Sequence, residues 1–367
     1  MLGLSLVLGK VAAAELVVGQ VAPLSGVLGS TGRQMVAGAR LYFDSVNAAG
    51  GVHGAKIRHV VLDDGYLPEQ TVAQTERLLQ RDKPVALIGF TGGANIGELF
   101  KRRTLESAGI ALVAPYTGSE NLRGAEVRHI FHIRAGYADE ARYIVEMLMT
   151  LGMDKIAVFY QNDRFGESGL AGVEKALATR QRKPWVVASY ERNTAEVEPA
   201  VSKLLQAEPS AIVMISLNKS TAAFARQYRQ AGGTAQLFNL SPVDAQELVA
   251  LGGIDSLHGL GIAQVVPYPF SATLPVIREY QRALKQFGGK DDVPSYAGFE
   301  EFIGAKVLVE ALRRAGPTPS REQVLAALQA MAHYDMGGFS VGFSPSRRIG
   351  SRYVDLSVIG TNGRLMR

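Results

Sequence analysis

Short apolar runs alternate with amphipathic stretches along most of this chain. Residues 16–21 form an apolar run that predicts a strand, and residues 34–46 carry apolar side chains near helical spacing. Residues 57–62 predict a second strand, so this stretch reads as strand, glycine-rich turn, helix and strand. Such a unit places the loop after its first strand at the carboxyl edge of a parallel sheet, where open α/β folds bind small ligands.

The same alternation continues to residue 315. The further predicted strands are 85–89, 110–113, 130–133, 155–160, 186–190, 211–215, 236–239 and 259–266. Helices are predicted between the third and fourth strands up to residue 107, and over 139–151, 166–179, 197–208, 220–231 and 296–315. Strands that alternate with helices predict parallel sheets with right-handed crossovers. We therefore expect two α/β lobes of similar topology, with the chain crossing between them near residues 134, 263 and 338.

Composition agrees with a folded protein of two lobes. The chain has 367 residues, of which 47% are hydrophobic and 20% charged. Basic and acidic residues are interleaved despite a net charge of +5, which argues against a nucleic-acid-binding surface. The chain has no cysteine and therefore no disulfide or thiolate zinc site. After residue 14, no apolar run reaches the ~18 residues that span a bilayer.

Residues 1–14 share features with an export signal. A short apolar run over residues 2–8 precedes three alanines at 12–14, which are typical of a cleavage site. The basic residue Lys10 follows the apolar run, whereas in a complete signal it would precede it. We interpret this segment as the remnant of a signal or as a tail, and the fold is expected to begin at residue 15.

No combination of residues predicts catalysis or a metal site. Residues 166–169 resemble the start of a nucleophile elbow, but Leu170 stands where the pattern needs its second glycine. His129 and His132 flank a predicted strand three residues apart, so alternation points them to opposite faces. We therefore expect a protein that is not an enzyme and binds neither a metal nor another cofactor.

Five segments carry a resemblance through their order and spacing. They are APLSG…GARLYFDSVNAAGGVHG at 22–54, DD at 63–64, APYTGSENLR at 114–123, VFYQNDRFGESG at 158–169 and PSYAGFEEFIGAKVLVEALRRAG at 294–316. Together they resemble the type I periplasmic solute-binding proteins, and among these the branched-chain amino acid binding proteins of ABC importers. The resemblance implies two doubly wound α/β lobes with parallel-type sheets, joined by three crossovers, with a ligand cleft between them. The first lobe would comprise residues 15–134 and 264–338, and the second residues 135–263 and 339–367.

In the first lobe, the resemblance assigns ligand contacts to two loops. Residues 91–94 stand where relatives bind the ligand carboxylate with a serine hydroxyl, which is absent here. The backbone N–H groups of this loop either hold an anion at the helix N-terminus or only form a turn. Thr117 either contacts the ligand or caps the following helix. The candidates in this lobe are Thr31, Phe90, Thr91, Gly92, Gly93, Ala94, Tyr116 and Thr117.

Some relatives carry a disulfide in this lobe. Tyr66 and Gly92 stand where its two cysteines would be, so the first lobe is expected to depend on core packing alone.

In the second lobe, the resemblance assigns ligand contacts to three loops. Phe165 matches a tyrosine that covers the ligand, with a core aromatic as the alternative. Leu217, or its neighbour Asn218, falls near another aromatic of the family. The acid that accepts the ligand ammonium in relatives would lie near Ser241, so Asp244 either substitutes for it or caps a helix.

The resemblance implies a periplasmic substrate-binding component of an ABC importer that captures a small solute by hinge closure. The apolar candidates of the cleft favour a solute with an aliphatic or aromatic body. A branched-chain or other aliphatic amino acid comes first. A small aromatic or aliphatic carboxylate is the alternative, because position 241 lacks an acid. A ligand-sensing module of a signalling system is a further alternative. The expected partners are the solute and the membrane permease and ATPase complex, without nucleic acid, and the protein is expected to be a monomer.

Overall fold

The computed structural model describes residues 15–367. The predicted export segment over residues 1–14 lies outside the described residues. None of the helices between residues 15 and 367 combines the length and the apolar character needed to cross a membrane.

The first lobe is built on a five-stranded parallel sheet. Its strands are β1 (Glu15–Ala22), β2 (Lys56–Asp63), β3 (Ala86–Ile88), β4 (Leu112–Val113) and β5 (Ile130–Phe131). They lie in the order β2-β1-β3-β4-β5, so the chain winds outward from β1 in both directions, as the resemblance implies. The connecting helices are α1 (Gly29–Ala48), α2 (Pro68–Arg81), α3 (Gly93–Lys101) and α4 (Thr104–Ser107).

The helical spacing predicted over residues 34–46 forms the buried face of α1. Met35, Ala39 and Tyr42 are at most 5% exposed and pack towards the first lobe. Because apolar residues three and four positions apart lie on one face of a helix, the pattern indicated both the helix and its buried side.

The second lobe repeats the βα alternation. Its strands are β6 (Ile156–Gln161), β7 (Val187–Tyr190), β8 (Ala211–Ile215), β9 (Gln236–Asn239) and β10 (Gly261–Gln264). Its helices are α5 (Tyr137–Thr150), α6 (Arg164–Ala178), α7 (Glu198–Gln206), α8 (Asn218–Gln230), α9 (Ala245–Gly252) and α10 (Ile254–Leu257).

The remaining chain adds helices to the first lobe and strands to the second. The helices are α11 (Pro275–Phe287), α12 (Tyr296–Ala315) and α13 (Arg321–Gln329), and a small hairpin of β11 (Tyr334–Asp335) and β12 (Ser340–Val341) follows them. The last strands are β13 (Asp355–Ile359) and β14 (Leu365–Met366). The second sheet has the order β14-β13-β10-β9-β8-β6-β7 and is parallel except for the pairings of β13.

The links between the elements of the two lobes, here called the crossovers, are residues 132–136, 265–274 and 344–354. The first and third crossovers pair with each other, since the N–H of His132 donates to the carbonyl of Arg348 at 2.8 Å. The third crossover comes later than the predicted point at residue 338. Phe339, Val341 and Phe343 still pack in the apolar core of the first lobe, and the second sheet resumes only at β13.

Candidate functional site

The loops at the carboxyl ends of the two parallel sheets face each other across a cleft. On the first lobe, the loops after β3 and β4 are joined by a parallel bridge between Thr91 and Tyr116. On the second lobe, the loops after β6, β8 and β9 bring Phe165, Leu217 and Pro242 to the same place. This is the edge at which α/β sheets bind small ligands.

One part of the cleft, here called the inner pocket, is almost filled. Its free volume is about 10 Å³, which is the room of about one water molecule. Phe165 is 2% exposed, and its ring lies edge-on to Tyr137 with 5.1 Å between the centroids. The inner pocket is lined by Leu28, Tyr66, Thr91, Gly92, Gly93, Tyr116, Tyr137, Phe165, Leu217 and Pro242.

A larger cavity, here called the outer cavity, shares Tyr116 with the inner pocket. Its volume is about 390 Å³, within the range of about 300–1,000 Å³ that small-molecule sites occupy. Both lobes and the second crossover contribute to its walls. It is lined by Thr31, Gln34, Tyr116, Val243, Asp244, Ala245, Gln246, Tyr268, Phe270, Tyr296, Ala297, Gly363, Arg364 and Leu365.

Three of the four residues in the predicted loop over 91–94 reach the cleft. Thr91, Gly92 and Gly93 line the inner pocket, whereas Ala94 lines neither cavity. Phe90 is fully buried among the apolar side chains beneath the loop and also lines neither cavity. The backbone direction at the end of β3 therefore turns the aromatic ring away from the cleft.

Ser119 occupies the space that a side chain at position 93 would need. A Cβ atom on Gly93 would lie 2.0 Å from Ser119 Oγ. That hydroxyl accepts a hydrogen bond from Thr117 Oγ1 at 3.1 Å, and the N–H of Ser119 donates to Thr117 Oγ1 at 3.2 Å. Thr117 thus caps its own loop, and the hydroxyl of Ser119 lies beside Gly93, near which the resemblance places a serine hydroxyl.

Tyr66 and Gly92, which the resemblance places at the two cysteine positions of a disulfide, are neighbours. A Cβ atom on Gly92 would lie 2.7 Å from the Tyr66 ring, and Gly92 has a φ of 93°. Glycine is therefore required here both by the backbone conformation and by the tyrosine that packs against it.

The second-lobe candidates that follow Leu217 in the sequence form hydrogen bonds mainly with other protein groups. They are Asn218, Ser241 and Asp244. Asp244 caps α9 by accepting the N–H of Glu247 at 2.9 Å, and it also lines the outer cavity. Asn218 accepts the N–H of Asp244 at 2.7 Å and donates to Glu247 Oε2 at 2.8 Å. Asn218 therefore positions the loop before α9 and lines neither cavity.

Ser241, which the resemblance places near the family's acidic residue, belongs to a buried polar and charged cluster that we call the hinge network. It consists of Arg134, Glu140, Ser241 and Glu300. The N–H of Ser241 donates to Glu140 Oε2 at 2.8 Å, and its hydroxyl accepts from Arg134 and donates to Glu140 Oε1 at 3.0 Å. The polar groups of Ser241 are thus used inside the protein.

Arg134 lies in the first crossover and connects the lobes. Its guanidinium is 3.2 Å from Glu140 of the second lobe and 3.4 Å from Glu300 of the first, and it is fully buried. Its carbon Cζ also lies 5.0 Å from the ring centroid of Tyr116. In the sequence, Arg134 is distinguished only as an arginine within the apolar stretch at 130–137. That pattern does not indicate its ion-pair partners.

Burial controls the titration of the hinge network. It raises the pKa of Glu300 to about 7, although the charge of Arg134 opposes that rise. Burial likewise raises the pKa of Glu140, again against Arg134. For Arg134, burial acts to lower the pKa, but Glu300 and Glu140 together raise it above its usual value.

Arg192 also crosses the cleft and was not found from the sequence. It follows β7 in the second lobe and donates to the carbonyl of Tyr66 at 2.8 Å and to Asn95 Oδ1 at 2.9 Å, both in the first lobe. Asp163 of its own lobe lies 3.4 Å from the same guanidinium. These contacts join the two lobes beside the inner pocket, which Tyr66 lines.

The titratable side chains offer no metal centre within residues 15–367. No group of three or more histidine, cysteine, aspartate or glutamate side chains is arranged there to hold a metal ion. The cleft instead combines aromatic surface with a few polar groups, which is an arrangement for binding an organic molecule.

Comparison with known proteins places the chain among solute-binding proteins. A sequence model described as "Periplasmic binding protein" matches residues 15–363. The Leu/Ile/Val-binding protein homolog 7 of Brucella abortus is 23% identical over 92% of this chain and 87% of its own length. An amino acid binding protein of Pseudomonas aeruginosa is 28% identical over 66% of this chain, and the match spans only 64% of that relative.

A solved structure shows the same fold at closer identity. The substrate-binding periplasmic protein from Ralstonia solanacearum is 43% identical, with a TM-score of 0.91. The match covers 96% of this chain and 99% of the other.

Proposed function

Because the chain belongs to the periplasmic binding protein family, a family of solute-binding proteins and not of enzymes, we propose that it delivers a small solute to an ABC importer. In this role it works outside the cytoplasm, in the periplasm, as a monomer. Its partners are the solute and a membrane complex of permease and ATPase.

The shape of the outer cavity carries this proposal. Thr31 and Gln34 of the first lobe, Val243 and Asp244 of the second, and Tyr268 of the second crossover all line it. No single lobe could form this enclosure, so separating the lobes would dismantle it. A solute that touches both lobes stabilises the closed state through contacts that the open state lacks.

The walls of the cleft support the proposed class of solute. Aromatic and aliphatic side chains line both the inner pocket and the outer cavity, which favours an amino acid with an apolar body. A small carboxylate without an amine is the second candidate, because Ser241 stands near the position where the resemblance implies an acid and is used within the hinge network.

Mass spectrometry of the compounds released when the purified protein is unfolded tests this proposal. Recovery of one amino acid or small organic acid in a molar amount comparable to the protein is the expected result. A released nucleotide or metal ion would contradict the proposed role. If nothing is released, a thermal-shift screen of amino acids and carboxylates decides, and failure of every compound to raise the melting temperature would also contradict it.

A further inference from the structure

Three aromatic rings form one wall of the outer cavity. The ring centroids of Tyr268 and Phe270 are 5.1 Å apart, and those of Phe270 and Tyr296 are 5.9 Å apart. The hydroxyl of Tyr268 donates to the carbonyl of Leu365 at 2.8 Å, and that of Tyr296 pairs with Ser357 Oγ at 2.9 Å. Because both hydroxyls are already bonded, the wall offers ring surface to a ligand.

The wall on α1 is polar and incompletely bonded. Thr31 and Gln34 are three residues apart and therefore share a face of the helix. Thr31 is 3% exposed, and neither its Oγ1 nor the Oε1 of Gln34 has a hydrogen-bond partner among residues 15–367. A buried amide oxygen without a donor is unfavourable, so these atoms favour a ligand that brings hydrogen-bond donors.

The second lobe adds a carboxylate to the same cavity. Asp244 lines it from the start of α9, and its Oδ1 accepts the N–H of Glu247. A carboxylate can accept several hydrogen bonds, so the helix cap leaves capacity for a ligand donor. Three acceptors, two from one lobe and one from the other, thus border the aromatic wall.

We propose that Thr31, Gln34 and Asp244 bind the ammonium group of an aromatic amine or amino acid, whose ring lies against Tyr268, Phe270 and Tyr296. This inference rests on the proposed function, because it concerns the solute of the same cleft. It moves amine recognition away from position 241, where Ser241 is held by Glu140 and Arg134, and into the outer cavity. Arg364 at the rim of the cavity is available to the carboxylate when the solute is an amino acid.

Four probe compounds separate the parts of this inference. Isothermal titration calorimetry is performed on protein that has been unfolded, freed of released solute and refolded. L-phenylalanine and 2-phenylethylamine carry both ring and amine, phenylacetate lacks the amine, and L-leucine lacks the ring. We expect both aromatic amines to bind at least about tenfold more tightly than phenylacetate, because phenylacetate lacks the charged ammonium group that donates the hydrogen bonds.

The other outcomes are also decisive. If phenylacetate binds as tightly as the two aromatic amines, or more tightly, the recognition of an amine is overturned. If L-leucine binds more tightly than L-phenylalanine, the aromatic subsite is overturned. Either result leaves the proposed function intact, because a solute still binds. Binding of none of the four would overturn the inference, whereas the proposed function would still be judged by the released compound.

Two aspartate variants test the assigned residue. Asp244→Asn keeps a good helix-capping side chain and removes the charge, so L-phenylalanine binding is expected to weaken about tenfold without loss of melting temperature. Asp255→Asn makes the same change at an exposed position of the same lobe and should leave the affinity unchanged. Unchanged affinity in Asp244→Asn would remove Asp244 from the site.

Gln34→Leu provides the corresponding test on the first lobe. Unchanged affinity for L-phenylalanine in this variant would overturn the role of Gln34.

Discussion

The guanidinium carbon of Arg192 lies 4.4 Å from the ring centroid of Tyr66, although the two residues belong to different lobes. The same side chain donates to the carbonyl of Tyr66 and to Asn95. Arg192 thus combines a cation–π contact with charge-assisted hydrogen bonds across the cleft. Because these contacts join the two lobes, separation of the lobes in the proposed hinge motion would break them, and we expect Arg192 to stabilise the closed state.

Arg192→Met is therefore expected to weaken solute binding about tenfold, because the closed state loses bonds that the open state does not make. Calorimetry with the solute that the protein releases measures the effect. The control is Arg182→Met, which removes an exposed arginine 3.7 Å from Asp154 in the same lobe. Equal affinity in the two variants would show that Arg192 does not contribute to closure.

Phe165 and Phe90 form a matched pair of buried phenylalanines. Only Phe165 reaches the inner pocket, and both are at most 2% exposed. Replacement of either by alanine should lower the free energy of unfolding by about 3–5 kcal/mol. Phe165→Ala should in addition weaken solute binding more than about tenfold, and Phe90→Ala should not. Denaturant unfolding and calorimetry measure the two effects, and equal losses of affinity would remove Phe165 from the site.

Substitution of Gly93 tests whether Ser119 fills the space beside the loop after β3. In Gly93→Ser, the new side chain collides with Ser119, and overpacking of this kind should cost about 1–3 kcal/mol. Adding Ser119→Gly to that variant should recover most of the loss. Gly97→Ser on the same helix meets no atom within 4 Å and is the control. Thermal unfolding measures all three variants, and failure of the second substitution to restore stability would contradict the assignment.

Glu300 should make the stability of the protein depend on pH. Its pKa rises from 4.5 to about 7 on folding, so the folded protein binds more protons than the unfolded chain between these values. Stability is therefore present below pH 4.5 and falls as the pH rises towards 7, by up to about 3 kcal/mol from this residue. In Glu300→Gln the fall should be smaller, as measured by urea unfolding at pH 5 and pH 7.5. An unchanged fall would show that other groups, such as Glu140, cause it.

The sequence predicted the fold well where a local pattern determines it. Met35, Ala39 and Tyr42 revealed α1, and the apolar runs revealed most strands of both sheets. The helix over Pro68–Arg81 was missed because its residues are mostly polar. The position of the third crossover was predicted too early in the chain. The apolar character of Phe339 and Phe343 indicates that they are buried but does not indicate in which lobe.

The candidate site was harder to predict, because its contacts join residues that are distant in sequence. Phe90 and Phe165 both follow a strand, and only the tertiary structure distinguishes the core ring from the one in the cleft. The partners of Arg134 and Arg192 lie on other loops, so no spacing in the chain indicated them. Tyr268 and Phe270, on a crossover, carried no periodic signal.

Small-angle X-ray scattering tests closure around a solute most directly. The protein is unfolded, freed of solute, refolded and measured before and after the released compound is added back at saturation. We predict a smaller radius of gyration with the solute, because the lobes close on it, and a weaker decrease in Arg192→Met. An unchanged radius of gyration in the presence of saturating solute, with binding verified by calorimetry, would contradict capture by hinge closure.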